Sequence, residues 1–435
     1  MEQAKKIRGE VQINEAIIKD VQKEVKNIKN LKEKIEANLE KSTTEILEII
    51  LIGAITLESS DIHIEPEEEK AKIRIRTDGM LQDVLEIDNK IYQGVVSRIK
   101  LLSKLKLNVS DQPQDGRFSI SLEEKTIEMR VSSLPAEFGE SIVMRILDPK
   151  SLIDVESLGL RKDLAETFNK EIKKPNGMII VTGPTGSGKT TTLYAILKKL
   201  NQPEVKIITI EDPIEYHLAG TSQTQVDPKK GYSFASGLRS IMRQDPDVVL
   251  VGEIRDLETA NIALQAALTG HLVLTTMHTN SAAGTIARFQ ALGEKPVNIS
   301  PAINIAIAQR LVRKVCKKCL KLEPASKEES EKIKRALEGL PKNLAAVKPG
   351  IKIPKAKGCS QCGFTGYKGR LGIFEFFLVD DEMEKFILTS PSIVAMEELA
   401  VKKGMISAYQ DGIIKVLEGA TTIEEIERVT AEQFR

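Results

Sequence analysis

Residues Gly183 to Thr190, GPTGSGKT, fit G-x-x-x-x-G-K-[ST] at every fixed position. Gly183, Gly186 and Gly188 let the backbone curl with its N–H groups pointing inward, a cradle for phosphate oxygens. Pro184, Thr185 and Ser187 fill the variable positions. Lys189 can reach the β- and γ-phosphates, and the Thr190 hydroxyl can sit on Mg²⁺. Thr191 follows and is grouped with these nucleotide-binding residues. The helix formers from Lys189 onward bring the positive end of a helix dipole to the same spot. The apolar run Met178–Val181 before the loop reads as a buried strand.

Three more apolar runs, Val205–Ile210, Val248–Val251 and Leu272–Thr276, alternate with helical segments. That rhythm implies a parallel sheet covered on both faces, with ligands at the carboxyl ends of its strands. The runs lead into Glu211-Asp212-Pro213, Gly252-Glu253 and Met277-His278. A carboxylate one strand away from a phosphate loop can hold Mg²⁺ through water or orient the attacking water. Glu253 is therefore expected to position water, with Glu211 supporting it or the metal. His278 could sense the γ-phosphate.

Cys316-x-x-Cys319 and Cys359-x-x-Cys362 are the only cysteines. Four thiolates in two such pairs supply a closed tetrahedral Zn²⁺ site, structural because no position is left for water. The spacer, residues 320 to 358, is longer than the usual spacer of about 15 to 20. Its Lys/Glu-rich middle, Ser326 to Leu340, reads as a helical excursion. Lys314, Lys317, Lys318 and Lys321 make the knuckle basic.

Upstream lies a smaller α/β region. Ser42–Leu57 reads as a helix capped by Ser42. DIHIEP (61–66) follows, then a half-buried strand through Ile73 and Ile75 to the Asp78-Gly79 turn. Residues 117–132 read as a hairpin. Phe118, Ile120, Leu122, Ile127, Met129 and Val131 form one face, and Arg117 and Arg130 lie on the other. A turn near Glu124-Lys125 would place Ser119 opposite Arg130 and Arg117 diagonal to it. Two converging guanidinium groups suit an anion, although surface strands carry arginines routinely. At the N-terminus Ile7, Val11, Ile18, Val21, Val25, Ile28, Ile35 and Leu39 recur at spacings of three and four, interrupted at Asn14 and Lys32. One long amphipathic or coiled-coil helix is expected, either a docking handle or a helix packed on the next domain.

Composition bounds the rest. The 435 residues are 41% hydrophobic and 29% charged, with net charge +1. This describes an ordinary globular protein and argues against a globally basic nucleic-acid binder. No run approaches the roughly 18 apolar residues a spanning helix needs, and MEQAKKIRGE has no signal-peptide core. A cytoplasmic chain is the expectation.

The stretch LRSIMRQDPDVVLVGEIRD (238–256) resembles the signature of the type II secretion and type IV pilus assembly ATPases. The phosphate loop, IEDPIEY (210–216), HLVLTTMH (271–278), DIHIEP and QPQDGR (112–117) are similar to further landmarks of that family. The resemblance covers residues 42 to 435. It implies an α/β chain with a RecA-like P-loop ATPase domain, a smaller PAS-like N-terminal domain, a tetracysteine zinc insert and a helical C-terminal cap. The expected boundaries are 1–40, 41–147, a linker at 148–157, 158–310, 311–365 and 366–435.

The resemblance also implies a homo-hexamer that hydrolyses ATP with Mg²⁺ and works on an inner-membrane platform. In it Arg117 and Arg130 complete the ATP site, and Arg239, Arg243, Arg255 and Arg288 match family arginines near the site or the subunit interface. The tetracysteine insert points to the assembly and secretion branches rather than retraction. Members often carry extra N-terminal domains. Here about 40 residues precede the small domain, so either the chain is shortened or it docks differently. A RecA-like nucleic-acid or DNA-uptake motor is the alternative, but no basic-aromatic stretch and no tryptophan support it, and no nucleic acid is expected. A nucleotide-switched scaffold that does not turn over is the third reading.

Overall fold

The computed structural model describes residues 10–122, 125–340, 344 and 350–430. The chain divides into two compact units: residues 1–151 with 316–320 and 356–368, and residues 152–315 with 321–355 and 369–435.

The first unit runs β1 (Glu10–Gln12), α1 (Glu15–Glu24), α2 (Ile28–Glu36), α3 (Thr43–Thr56), β2 (Asp61–Pro66), β3 (Lys70–Thr77), β4 (Met80–Asp88), α4 (Asn89–Leu102), β5 (Gln114–Leu122), β6 (Lys125–Ala136) and β7 (Gly139–Leu147). Its seven strands lie in the order β1-β5-β6-β7-β2-β3-β4. Only the short β1 is recorded parallel to its neighbour; the pairings from β5 to β4 are antiparallel. α3 starts where Ser42 accepts the Glu45 amide. It is apolar nearly all round because it is covered on several sides, with Ile46, Leu47, Ile49, Ile50, Leu51 and Ile52 all buried.

The N-terminal expectation is corrected here. There is no single helix but a strand and two short helices. Asn14 caps α1 by accepting the Ala16 amide, Val25 is extended, and Asn27 caps α2 by accepting the Asn30 amide. Asparagine bonds its own backbone well at a cap and poorly inside a helix, so the chain breaks beside these residues. Ile18, Val21, Val25, Leu31 and Ile35 are spent inside the unit's own core. Among the described residues they leave no free coiled-coil seam. Ile7 lies outside the described residues.

The second unit runs α5 (Lys162–Glu171), β8 (Gly177–Thr182), α6 (Lys189–Leu200), β9 (Ile207–Glu211), β10 (Ser222–Gln225), α7 (Phe234–Ile241), β11 (Val248–Val251), α8 (Leu257–Leu268), β12 (Leu272–Met277), α9 (Gly284–Leu292), α10 (Pro296–Ile299) and β13 (Ile303–Val315). A two-stranded excursion, β14 (Leu320–Pro324) and β15 (Lys352–Ala356), encloses α11 (Lys327–Leu337). β16 (Tyr367–Leu378) and the helices α12 (Asp381–Ile387), α13 (Ile393–Lys402), α14 (Ala408–Leu417) and α15 (Ile423–Thr430) follow.

The main sheet has the order β10-β9-β11-β12-β8-β13-β16, and β10 through β13 pair in parallel. Met178 and Ile180 of β8 belong to one apolar cluster, and Ile179 and Val181 to another. That alternation shows both faces covered, as a continuous apolar strand requires. A buried ion-pair group clasps the C-terminal helices to this layer. Asp411 accepts from Arg161 at 2.5 Å, Lys415 at 2.9 Å and the Phe374 amide at 2.8 Å.

Candidate active site

The second unit's chemistry gathers at the carboxyl ends of its parallel strands. β8 ends at Thr182, whose hydroxyl donates to Met277 O at 3.0 Å and shares a 2.8 Å hydrogen bond with the Thr279 hydroxyl. The loop 183–188 then turns back into α6. Gly183 has φ 143°, and a Cβ there would stand 2.5 Å from Gln309 O, so both conformation and space demand glycine. Gly188, left-handed at φ 88°, is the cap residue of α6.

Lys189 is buried at the helix start and donates Nζ to Gly183 O (2.8 Å) and Pro184 O (3.2 Å). Burial, more than the nearby Arg310 charge, pulls its pKa down to about 8, against the pull of Glu253. Ser187 Oγ is buried without a hydrogen-bond partner among the described residues. An orphaned hydroxyl, a desolvated ammonium spent on loop carbonyls, and exposed Pro184, Thr185 and Gly186 around them fit a phosphate chain. Thr190 and Thr191 are half-buried on the first turn of α6, where Thr190 could hold Mg²⁺.

Glu253 and His278 join Lys189. The Glu253 carboxylate lies 2.5 Å from Arg255 Nη2 and 3.8 Å from His278 Nε2. Burial and then the Lys189 charge push the His278 pKa below its usual value, with Glu253 opposing. One expectation needs correcting: β12 lies between β8 and β11, so Glu253 follows the next strand but one.

Glu211 is different. Its carboxylate accepts from Tyr194 OH (2.8 Å) and the Thr209 hydroxyl (2.6 Å), and burial raises its pKa. Both oxygens are thus engaged within the fold rather than presented to a metal. Arg239 pairs with Glu258, and Arg243 donates to Arg239 O at 3.1 Å, both at the exposed surface. Arg288 is exposed on α9. Of the arginines expected near the site in this unit, only Arg255 reaches the Glu253–His278 group directly.

Three participants escape the sequence reading. Gln309 and Arg310 lie on β13 against the phosphate loop, and Tyr194 on α6 holds Glu211. The signal for Gln309 and Arg310 was an apolar run, INIAIA, passing into the polar pair QR; Tyr194 sits inside the apolar face of α6 with no such signal.

In the first unit Arg117 pairs directly across from Arg130, and the next partners in line are Arg145, Asp61 and Arg76. The expected diagonal placement is thereby corrected. Leu122 already pairs with Lys125, which shifts the register by two; Glu124 lies outside the described residues. Cross-strand partners share a face, so four arginines and one aspartate form a transverse row opposite the buried face of Phe118, Met129 and Met144. Asp61 binds Arg145 at 3.1 Å and Arg76 at 3.4 Å, and Arg117 approaches Glu128 only to 3.9 Å.

The same unit contains the cysteine cluster, whose four Sγ atoms lie within 4.8 Å of one another. The distances from Cys316 to Cys359, Cys319 to Cys362 and Cys359 to Cys362 are 3.9, 3.8 and 3.8 Å. A tetrahedron with metal–sulfur bonds of about 2.3 Å has edges near 3.8 Å, so the donor set fits Zn²⁺. Burial and the neighbouring Cys362 sulfur push the Cys319 thiol up to about 12. Burial also pushes Cys362 up, but the amides of Cys359 and Gly366 outweigh it and bring it to about 7.

The family described as Type II/IV secretion system protein matches residues 36–428. Type II secretion system protein E of Pectobacterium carotovorum is 44% identical over 400 residues, 92% of this chain and 78% of that protein. Type IV pilus assembly ATPase PilB of Acinetobacter baylyi is 42% identical over 385 residues, 88% and 65% of the two chains. The solved pilus retraction motor PilT with bound ADP superposes with a TM-score of 0.58 at 26% identity, covering 88% of this chain and 96% of that one. With its phosphate loop complete and a carboxylate and imidazole set beside it, the chain belongs to the type II/IV secretion system protein family and is one of its ATPases.

Proposed function

We propose that the chain is a hexameric cytoplasmic motor that hydrolyses ATP to drive type IV pilus assembly or type II secretion through an inner-membrane platform protein. The observation that carries the site reading is the meeting of Lys189, Glu253 and His278 at the strand ends beside the phosphate loop. The loop amides and Lys189 bind the triphosphate, and Thr190 would hold Mg²⁺, which would supply charge neutralisation at the phosphate oxygens. Glu253 orients water for attack on the γ-phosphate, with Arg255 and His278 holding its carboxylate in place. His278 donates a hydrogen bond to the γ-phosphate. Arg117 and Arg130 clamp the phosphates, as arginines do where charge builds in phosphoryl transfer. Glu211 acts through Tyr194 by fixing α6 rather than by touching the metal.

Zn²⁺ on Cys316, Cys319, Cys359 and Cys362 has a structural role. The tetracysteine cluster favours the assembly and secretion branches over retraction. No helix among the described residues is long and apolar enough to cross a membrane, so attachment through a partner suits the reading. The test is ATPase turnover of Lys189→Ala, expected at background with the fold intact; turnover at the wild-type rate would remove the site assignment. Capture of a polytopic membrane protein by the full chain tests the platform partner.

A further inference from the structure

β13 runs beside β8 and outlasts it. Ala308 pairs with Thr182, so Gln309 and Arg310 continue along the phosphate loop. Gln309 accepts the Thr192 hydroxyl at 2.7 Å on one side of the loop, and its carbonyl closes on Gly183 at the other. Arg310 is buried. Its Nη1 donates to Gln309 O at 3.0 Å and stands 2.9 Å from where a Gly183 Cβ would sit. Its Nη2 donates to Asn280 O at 2.8 Å.

Asn280 is two residues past His278, and the segment 278–282 is tied at three places. Thr182 accepts the Thr279 amide at 2.9 Å, Arg310 holds Asn280, and the buried Glu375 of β16 accepts the Ala282 amide at 2.8 Å. Among these ties, Arg310 alone joins the segment to β13 where that strand passes the loop, with Nη1 standing 2.9 Å from where a Gly183 Cβ would sit. A guanidinium suits this work because its planar fork sets two acceptors in one rigid frame. A lysine could reach the same carbonyls but would not fix the angle between them.

The geometry points to Arg310 as a positioning residue of the phosphate site: it fixes the His278 segment against the floor of the phosphate loop. A triphosphate seated in the loop then meets His278 in a set place. This rests on the reading of Lys189, Glu253 and His278 given above. Removing Arg310 leaves the cradle amides, and hence diphosphate binding, while cutting one of the three ties that hold the His278 segment.

The experiment uses the full chain with Arg310→Met and Arg310→Lys, each alone and combined with His278→Ala. It measures steady-state ATP hydrolysis and equilibrium binding of a fluorescent ADP analogue. Arg310→Met is expected to lower kcat about tenfold with less than about a threefold change in ADP affinity, and adding His278→Ala should cost little more. Arg310→Lys should recover part of the loss, and it carries the test if the methionine variant does not fold. Losses that multiply in the double variant, or an ADP affinity that falls as far as kcat, would overturn the assignment. If Lys189→Ala is inactive while Arg310→Met and Arg310→Lys both turn over like wild type, only the role of Arg310 falls. An active Lys189→Ala would instead remove the underlying site.

Discussion

The parallel sheet of the second unit gathers its polar residues at strand ends, whereas the antiparallel sheet of the first lines up its arginines across the middle of its strands. The two arrangements follow from topology. Parallel strands all finish at one edge, so Lys189, Glu253 and His278 converge although about 90 residues of chain separate the first from the last. Antiparallel strands have no shared chemical edge. What they share is register, and register sets Arg117, Arg130 and Arg145 side by side. The costs differ too. Loop residues at strand ends perturb the core little, while like charges held opposite each other on a sheet oppose folding.

The largest expected effect tests the strand ends. Lys189→Ala and Glu253→Gln should each lower ATP turnover by about 10³-fold or more, read from phosphate release. Far-ultraviolet circular dichroism should stay near wild type and the thermal midpoint should not fall. A substantial loss of fold would mean that these residues belong to the core after all.

The arginine row sharpens the contrast because activity and stability should move in opposite directions. Arg117→Gln or Arg130→Gln should cut kcat by about 10³-fold, the usual order for an arginine acting on transferring phosphate. Arg117→Gln should leave the thermal midpoint unchanged or raise it, since the charge opposite Arg130 is gone and the approach to Glu128 is only 3.9 Å. Falling stability with full activity would reverse the roles assigned to the two sheets.

The cysteine cluster gives a third effect, on stability alone. Cys362→Ser should lower bound zinc well below one per chain and lower the thermal midpoint of the first unit by several degrees. Elemental analysis with calorimetry reads both. Full zinc occupancy in that variant would break the four-ligand site.

The smallest effect is a pH dependence. The Lys189 pKa in the folded chain, about 8, lies below its ordinary value. From there up to about 10.5 the unfolded chain binds more protons, so stability contributed by this group rises with pH over that window, and its cost is fully present below 8. Phosphate favours the charged lysine and reverses the shift. Nucleotide binding should therefore take up protons near pH 8, and affinity should fall towards about tenfold per pH unit above it. Calorimetry in two buffers of different ionisation enthalpy measures the uptake. Zero uptake would place Lys189 away from the phosphates.

Much of this was legible in the sequence, for identifiable reasons. The loop is contiguous and its chemistry demands fixed residue types, so Gly183 to Thr190 could be read directly. The four core strands were apolar runs buried on both faces. β13 was missed because Asn304, Gln309 and Arg310 interrupt its pattern with polar side chains, most of them buried. β16 was missed because it joins the sheet only after the long cysteine excursion. Arg145 and Asp61 did not stand out because their placement depends on pairing between β7, β6 and β2, which no local window contains. The N-terminal periodicity was real, but its apolar residues fill a local core. Asn14 and Asn27, read as interruptions or passed over, are helix starts.

The most direct test of the central claim is Glu253→Gln in the full chain, with binding and hydrolysis of ATP measured on the same preparation. The variant should bind a fluorescent ATP analogue within about threefold of wild type while releasing phosphate at background rate, because the cradle stays intact and only the group that orients water is lost. Phosphate release at the wild-type rate by that variant would contradict the account.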